Sequence, residues 1–150
     1  MIIRRFQAGR SDPISNTYGP GVRQGGHRPH QGWDLEAKPG TPVYAISDGE
    51  LSVGFNHRDY GNWASLQFEH RRTKYFAFYA HLQMHVIRNA SVREGGVIAL
   101  TGKTGNARGL ADTEAHLHFE IRTVEHPHQG LTGRIDPGEI LGYGVYSSQL

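Results

Sequence analysis

Side chains able to bind a metal ion fall in three separated segments of this 150-residue chain: His30 and Asp34 in HRPHQGWDLE, His81 in FYAHL, and His116 with His118 in EAHLHFEI. Two imidazoles and a carboxylate make the donor set of a hydrolytic zinc site, where three protein ligands bind at about 2.0–2.2 Å and water holds the fourth position. Five candidates for three places leave two histidines over. Peptide hydrolysis at one zinc has a use for them: one imidazole takes the proton of an acidified water and passes it to the leaving amine, and another donates a hydrogen bond to the developing oxyanion. No HExxH segment occurs, so the glutamate base of that metalloprotease class is absent and histidine would do the proton work.

The spacings limit which elements can present these residues. His30 and Asp34 are four apart, which aligns them on one face of a helix and equally on one face of a strand. His116, His118 and Glu120 alternate with Leu117, Phe119 and Ile121, and only a strand puts both imidazoles on one side. In Tyr75–His81 the alternation predicts Tyr75, Ala77, Tyr79 and His81 on one face and Phe76, Phe78 and Ala80 on the other. Tyr79 would then border any site that His81 enters, either as a hydroxyl donor or as a packing aromatic. Each motif alone has a plainer reading: a solvated HxxxD pair, two histidines on the polar face of an edge strand, a hydrogen-bonded structural histidine. Their joint occurrence favours a common site.

Stepping outward, strand-like runs lie at Pro42–Ile46, Glu50–Phe55, Trp63–Glu69, Tyr75–His81, Val97–Thr101 and His116–Arg122, each with a breaker nearby. Twenty glycines and seven prolines, in dipeptides such as Gly19-Pro20, Pro39-Gly40 and Pro137-Gly138, imply short strands joined by tight turns. The expectation is an all-β or β-rich fold, an antiparallel sheet with little helix; the one helix expected is a short one within Gln83–Arg88. A chain of 150 residues with 37% hydrophobic residues supports one core, so a single domain over residues 1–150 is expected, with 1–17 as an irregular arm.

With these residues in view, the chain resembles the M23 family of zinc endopeptidases, the lysostaphin and LytM type that cuts peptide cross-links in bacterial peptidoglycan. The likeness covers residues 18–140. HQGWDLEAKPGTPVYAISDGEL is similar to the family's HxGxD segment and following turn, YGNWASLQFEH to its Tyr-Gly-Asn strand, FYAHL to its Tyr-Ala-His-Leu, GGVIALTGKTGNARG to its second glycine turn, and AHLHFEI to its HxH strand. The resemblance implies a β-sheet with an open groove, one zinc per chain held by His30, Asp34 and His118, and His81 with His116 as the catalytic pair. It implies a peptidoglycan peptide as substrate, with the D-Ala to diaminopimelate bond favoured over glycine bridges because no wall-targeting segment of the lysostaphin kind accompanies the domain. The alternative is a non-catalytic LytM-like domain that activates other wall hydrolases.

The other histidines, His27, His57, His70, His85, His126 and His128, fall in polar or Pro/Gly-punctuated stretches and are expected in surface loops, with His27 and His57 near enough to site segments to line the groove. Residues 101–109, TGKTGNARG, lack the GxxxxGK[ST] order of a phosphate loop; Thr104 and Asn106 either meet the substrate backbone or simply form the turn. Gly25-Gly26 ahead of His30 serves close backbone approach or flexibility. Arg71, Arg72 and Lys74 read as a solvated hairpin loop. A net charge of +2 and a pI near 9.0 favour approach to an anionic wall without arguing for nucleic acid. Met1–Gly9 has no apolar run of signal-peptide length and no stretch is long enough to span a membrane. Delivery to the wall by a phage or secretion apparatus, or loss of a trimmed signal, is therefore expected, and a monomer is favoured. The absence of cysteine excludes disulfides and thiolate ligands.

Overall fold

In the computed structural model the described residues are 18–23 and 28–142. The expectations for residues 1–17, His27 and Gly25-Gly26 lie outside them. Strands β1 (Gly19–Arg23) and β2 (Arg28–His30) pair as an antiparallel ribbon. The main sheet holds β3 (Trp33–Glu36), β4 (Pro42–Tyr44), β5 (Gly49–His57), β6 (Gly61–His70), β7 (Thr73–His85), β8 (Ala90–Val92), β9 (Val97–Thr101), β10 (His116–Arg122) and β11 (Arg134–Ile135). Its main path runs β11-β10-β7-β6-β5-β8, with β3 on β10, β9 on β7 and β4 on β9. All its pairings are antiparallel, as the run of short strands predicts. The basic Arg71 and Arg72 make the two-residue turn between His70 and Thr73, with φ of 50° and 64°, the left-handed pair that matches hairpin twist.

The helix expected within Gln83–Arg88 is not there. β7 instead runs through His85, pairing Leu82 with Thr101, Met84 with Leu100 and His85 with Ala99 of β9, and the amides of Val86 and Ile87 donate to the Ile98 carbonyl. Long-range pairing outweighs the weak local preference of that stretch. The α-helix is α1, Pro137–Leu141, with Asp136 capping the Gly138 amide at 2.9 Å, proline in its first turn and left-handed Gly142 ending it. Among the described residues no helix is long and apolar enough to cross a membrane.

One face of the sheet is sealed by the core. Trp33 and Leu35 of β3, Leu66 of β6, Tyr79 and Leu82 of β7, and Leu117, Phe119 and Ile121 of β10 are each 1% exposed or less, and they pack into one hydrophobic cluster with Val43, Ile98 and Leu141. Strand periodicity thus sends alternate residues of β3 and β10 into the core, and the residues between them, Asp34, His118 and Glu120, to the opposite face.

β7 departs from that periodicity. Opposite it the register on β6 jumps from Asn62–Leu82 to Ala64–Tyr79, so that Ala80 and His81 face the single residue Trp63, a β-bulge, with His81 left-handed at φ 60°. Tyr79 consequently points into the core, where its ring centroid lies 5.2 Å from that of Phe119 and its hydroxyl accepts from the Ile46 amide at 3.2 Å. The expected sharing of one face by Tyr79 and His81 is corrected: the extra residue of the bulge re-aims His81, and Phe78 is the aromatic on its side.

Candidate metal centre

The pairing of three strands assembles the cluster. Asp34 of β3 is the direct cross-strand partner of His118 of β10, whose other neighbour is Ala80 of β7, so the carboxylate, the imidazole and the bulged His81 occupy nearly one rung. His30 arrives from the end of β2 across Gln31-Gly32. Gly32 is required there, because a Cβ would collide with the Phe119 carbonyl and the Glu120 side chain. His30 then stands beside both partners, 3.2 Å from Asp34 Oδ1 and with its ring centroid 5.4 Å from that of His118.

His30 Nε2, Asp34 Oδ1 and His118 Nδ1 converge. His30 lies 3.2 Å and His118 2.8 Å from the same Asp34 oxygen, and the three residues each offer a ligand atom within 4.8 Å of the others. Donors bound tetrahedrally at about 2.1 Å from one ion stand about 3.4 Å apart, so the donor set fits a small divalent cation with little movement. All three residues are buried. His118 is oriented from behind: its Nε2–H donates to Glu120 Oε1 at 2.9 Å, which leaves Nδ1 for the cluster. A carboxylate behind a ligating imidazole fixes its tautomer and raises its basicity.

His81 and His116 flank the cluster with ring centroids 5.2 Å apart and nearly perpendicular. His81 Nδ1 donates to the Thr104 carbonyl at 2.9 Å, and His116 Nδ1 to the Glu114 carbonyl at 3.2 Å. A carbonyl only accepts, so both rings are held with Nε2 turned away from it; His116 Nε2 lies 3.7 Å from Asp34 Oδ1. His116 is the more open, with 17% of its side chain exposed.

Residues outside the expected donor set complete the arrangement. Glu120, fully buried, takes Arg122 Nε and Arg134 Nε, each at 2.7 Å, on its second oxygen. Arg134 also donates to the carbonyls of His128 and Gly130 and to the Tyr60 hydroxyl. Tyr60 stacks on His118 with centroids 6.1 Å apart, and Gln31 bridges the Tyr60 hydroxyl to the Gly130 amide. Arg122 lies over the Phe78 ring at 3.5 Å. Glu120 was legible from its place in the alternating run; Arg134, on the next strand, carried no such mark.

Charge follows this geometry. Burial works against ionising Asp34 and Glu120, yet imidazoles around the first, and His118 with Arg122 and Arg134 around the second, hold both well below the usual carboxylate range. Burial would lower His118, but its hydrogen bonds to the two carboxylates override it and lift its pKa to about 9. His81 goes the other way: burial first, then the neighbouring His118 and His116, push it down to about 3. In the metal-free protein His118 therefore contributes stability that is fully present below its unfolded value of about 6.5 and lost as pH rises through 9. Thermal unfolding of the metal-free protein should accordingly show a melting temperature that falls between pH 6.5 and 9; a flat or rising profile would contradict the placement of His118 between two carboxylates.

Of the remaining histidines, His57, His126 and His128 are exposed and His70 half-buried. His85 is a correction. It is buried at the end of the extended β7, with Nε2 bonded to the Trp63 carbonyl at 2.8 Å and its ring edge-on to Phe55, because β7 continues where a loop was expected. Thr104 is a turn former with a positioning part: its hydroxyl accepts from the Asn62 amide and donates to the Leu82 carbonyl.

Residues 28–130 match the profile of peptidase family M23, which is more than half of the chain. The chain belongs to this family. Among relatives of this M23 domain, the peptidoglycan DD-endopeptidase ShyC of Vibrio cholerae is 34% identical over 116 residues, covering 70% of the chain and 25% of ShyC. The catalytic domain of lysostaphin, an antimicrobial peptidase from Staphylococcus simulans, superposes with a TM-score of 0.63 at 29% identity, covering 85% of this chain and 90% of that one. A zinc-containing peptidase from Vibrio cholerae superposes with a TM-score of 0.59 at 32% identity, covering 71% and 32%. The chain spans about a quarter of the length of the first curated relatives it matches.

Proposed function

We propose that this M23 domain, residues 18–140, is a zinc-dependent endopeptidase that hydrolyses peptide cross-links of bacterial peptidoglycan at the cell wall. His30, Asp34 and His118 are the ligands in this reading, and the observation that carries it is the convergence of their three donor atoms beside two unligated, carbonyl-anchored imidazoles. A zinc ion, when bound, supplies a water acidified from a pKa of 15.7 to about 7 and a positive charge near the scissile carbonyl. His81 and His116 then divide two tasks through their inward Nε2 atoms: accepting the proton for delivery to the leaving amine, and hydrogen-bonding the oxyanion once protonated. Glu120 keeps the His118 tautomer fixed, and Arg122 with Arg134 keeps Glu120 ionised. No covalent intermediate is needed.

The bond favoured is D-Ala to diaminopimelate, supported by the DD-endopeptidase names of the relatives. Mass spectrometry of products from purified wall fragments tests this directly. Release of peptides newly ended at D-Ala and at a free diaminopimelate amine is the expected result; cleavage only within glycine bridges would overturn the bond assignment. The competing reading is a non-catalytic activator domain. Clearing of a peptidoglycan suspension by the zinc-loaded protein alone favours the enzyme, whereas zinc-loaded protein that never clears the suspension favours the activator.

A further inference from the structure

Two loops beside the cluster are locked together around a cationic hollow. The β5–β6 turn and the loop following β9 meet through the Asn106 amide on the Asp59 carbonyl at 2.9 Å and the Asn62 amide on Thr104 Oγ1 at 3.0 Å. Gly61 (φ 66°) and Gly105 (φ 71°) lie against each other there, each where a Cβ would strike the other loop's backbone. Between the loops lies a cavity of about 290 Å³ lined by Asn56, His57, Arg58, Gly61, Thr104, Gly105 and Arg108. One wall is the very peptide that anchors His81, since Thr104 contributes both the lining and the carbonyl on His81 Nδ1.

The lining is rich in donors. His57 Nδ1 accepts the backbone N–H groups of Asp59 and Tyr60 at 3.1 and 3.2 Å, so its proton sits on Nε2 and the ring is held as an outward donor. Arg58 shares Asp59 as a partner at 3.6 Å. Arg108, from the facing loop, makes no ion pair or side-chain hydrogen bond among the described residues, and the nearby Lys103 is already committed to Asp112 at 2.6 Å. An exposed guanidinium without a protein acceptor, lining the same hollow as an imidazole N–H and a second guanidinium, offers the donors and the charge that a carboxylate takes. The floor of the hollow is held by backbone contacts between the two loops, while Arg58 and Arg108 reach it as exposed side chains.

We propose that this hollow is a subsite for a free carboxylate of the substrate peptide, with Arg108 as its principal cation, His57 Nε2–H as a second donor and Arg58 as a rim charge. This rests on the peptidoglycan-peptide reading above and narrows it: the preferred substrate keeps a glutamyl or diaminopimelyl carboxylate unamidated on the side of the scissile bond nearest Thr104. Placed there, the carboxylate orients the peptide against the element that holds His81 without taking part in the proton transfers.

The test pairs two synthetic wall peptides, one with free carboxylates and one with the same groups amidated, and reads binding and cleavage separately. Binding is followed by the NMR shifts of the Arg108 Nε–H and His57 Nε2–H signals of the zinc-loaded protein, and cleavage by kcat and KM. The free-carboxylate peptide should move both signals and the amidated one neither. Arg108→Ala should raise KM for the free form about tenfold, leave kcat and the amidated peptide unchanged, and be partly rescued by Arg108→Lys. Equal handling of both peptides by the wild type, or an equal loss on both in Arg108→Ala, overturns the subsite while leaving the hydrolase intact. Selective binding of the free form without hydrolysis would uphold the subsite and sink the hydrolase.

Discussion

Asp34→Ala should yield protein with no bound zinc and no wall-hydrolysing activity. A single oxygen, Oδ1, faces His30 at 3.2 Å, His116 at 3.7 Å and His118 at 2.8 Å, so it is both the anionic donor of the set and the counter-charge for the imidazoles around it. Its loss leaves two imidazoles for an ion that needs three protein donors and takes away the negative charge that offsets the metal's. Zinc affinity should fall by more than the 10–100-fold typical when only a supporting residue behind a ligand is removed. Zinc content by atomic absorption and turbidity clearing are the two measurements. A full complement of zinc with normal clearing in Asp34→Ala would refute the ligand assignment.

His116→Ala should separate metal from turnover. Its Nε2 approaches Asp34, but the half-open ring is outside the convergent trio, and its Nδ1 is spent on the Glu114 carbonyl. Zinc content should stay near one per chain while kcat falls by roughly 10²–10⁴, the usual weight of a general acid–base group, with KM little changed because no peptide contact is removed. Stoichiometric zinc together with unchanged kcat would exclude His116 from the chemistry. Loss of zinc would instead make it a ligand and reassign the trio.

Much of the site could be read before any fold was known, and the reasons are local. His116, His118 and Glu120 lie in a strand whose other face is uninterrupted core, so strict alternation placed all three. His30 and Asp34 left helix and strand both open, because an even spacing of four suits either; the answer depended on Gly32 meeting a carbonyl of β10, a contact between segments far apart in sequence. Val97–Thr101 and His116–Arg122 kept their expected limits. Others shifted: the run expected to end at Ile46 stops as a strand at Tyr44, and that expected over Tyr75–His81 spans Thr73–His85. Strands β1, β2, β3, β8 and β11 were not foreseen; each has five residues or fewer. Tyr79 and His85 went astray for a shared reason, since both depend on how β7 meets two partners in succession, a bulge against β6 and a continuation against β9. Arg134 could not be recognised at all, because its role is defined by Glu120 and by loop carbonyls that only the folded chain brings near.

The left-handed backbone at His81 bears on how its imidazole should be interrogated. An alanine there removes the ring, and with it the bond to the Thr104 carbonyl, and also leaves a left-handed position to a residue that adopts it less readily than histidine does, inviting the strand to straighten. Asparagine tolerates that backbone far better, so His81→Asn is the cleaner control: it deletes the ring nitrogens while preserving the kink. A rate deficit shared by both variants then belongs to the imidazole, and any excess in the alanine variant measures the architecture that holds it.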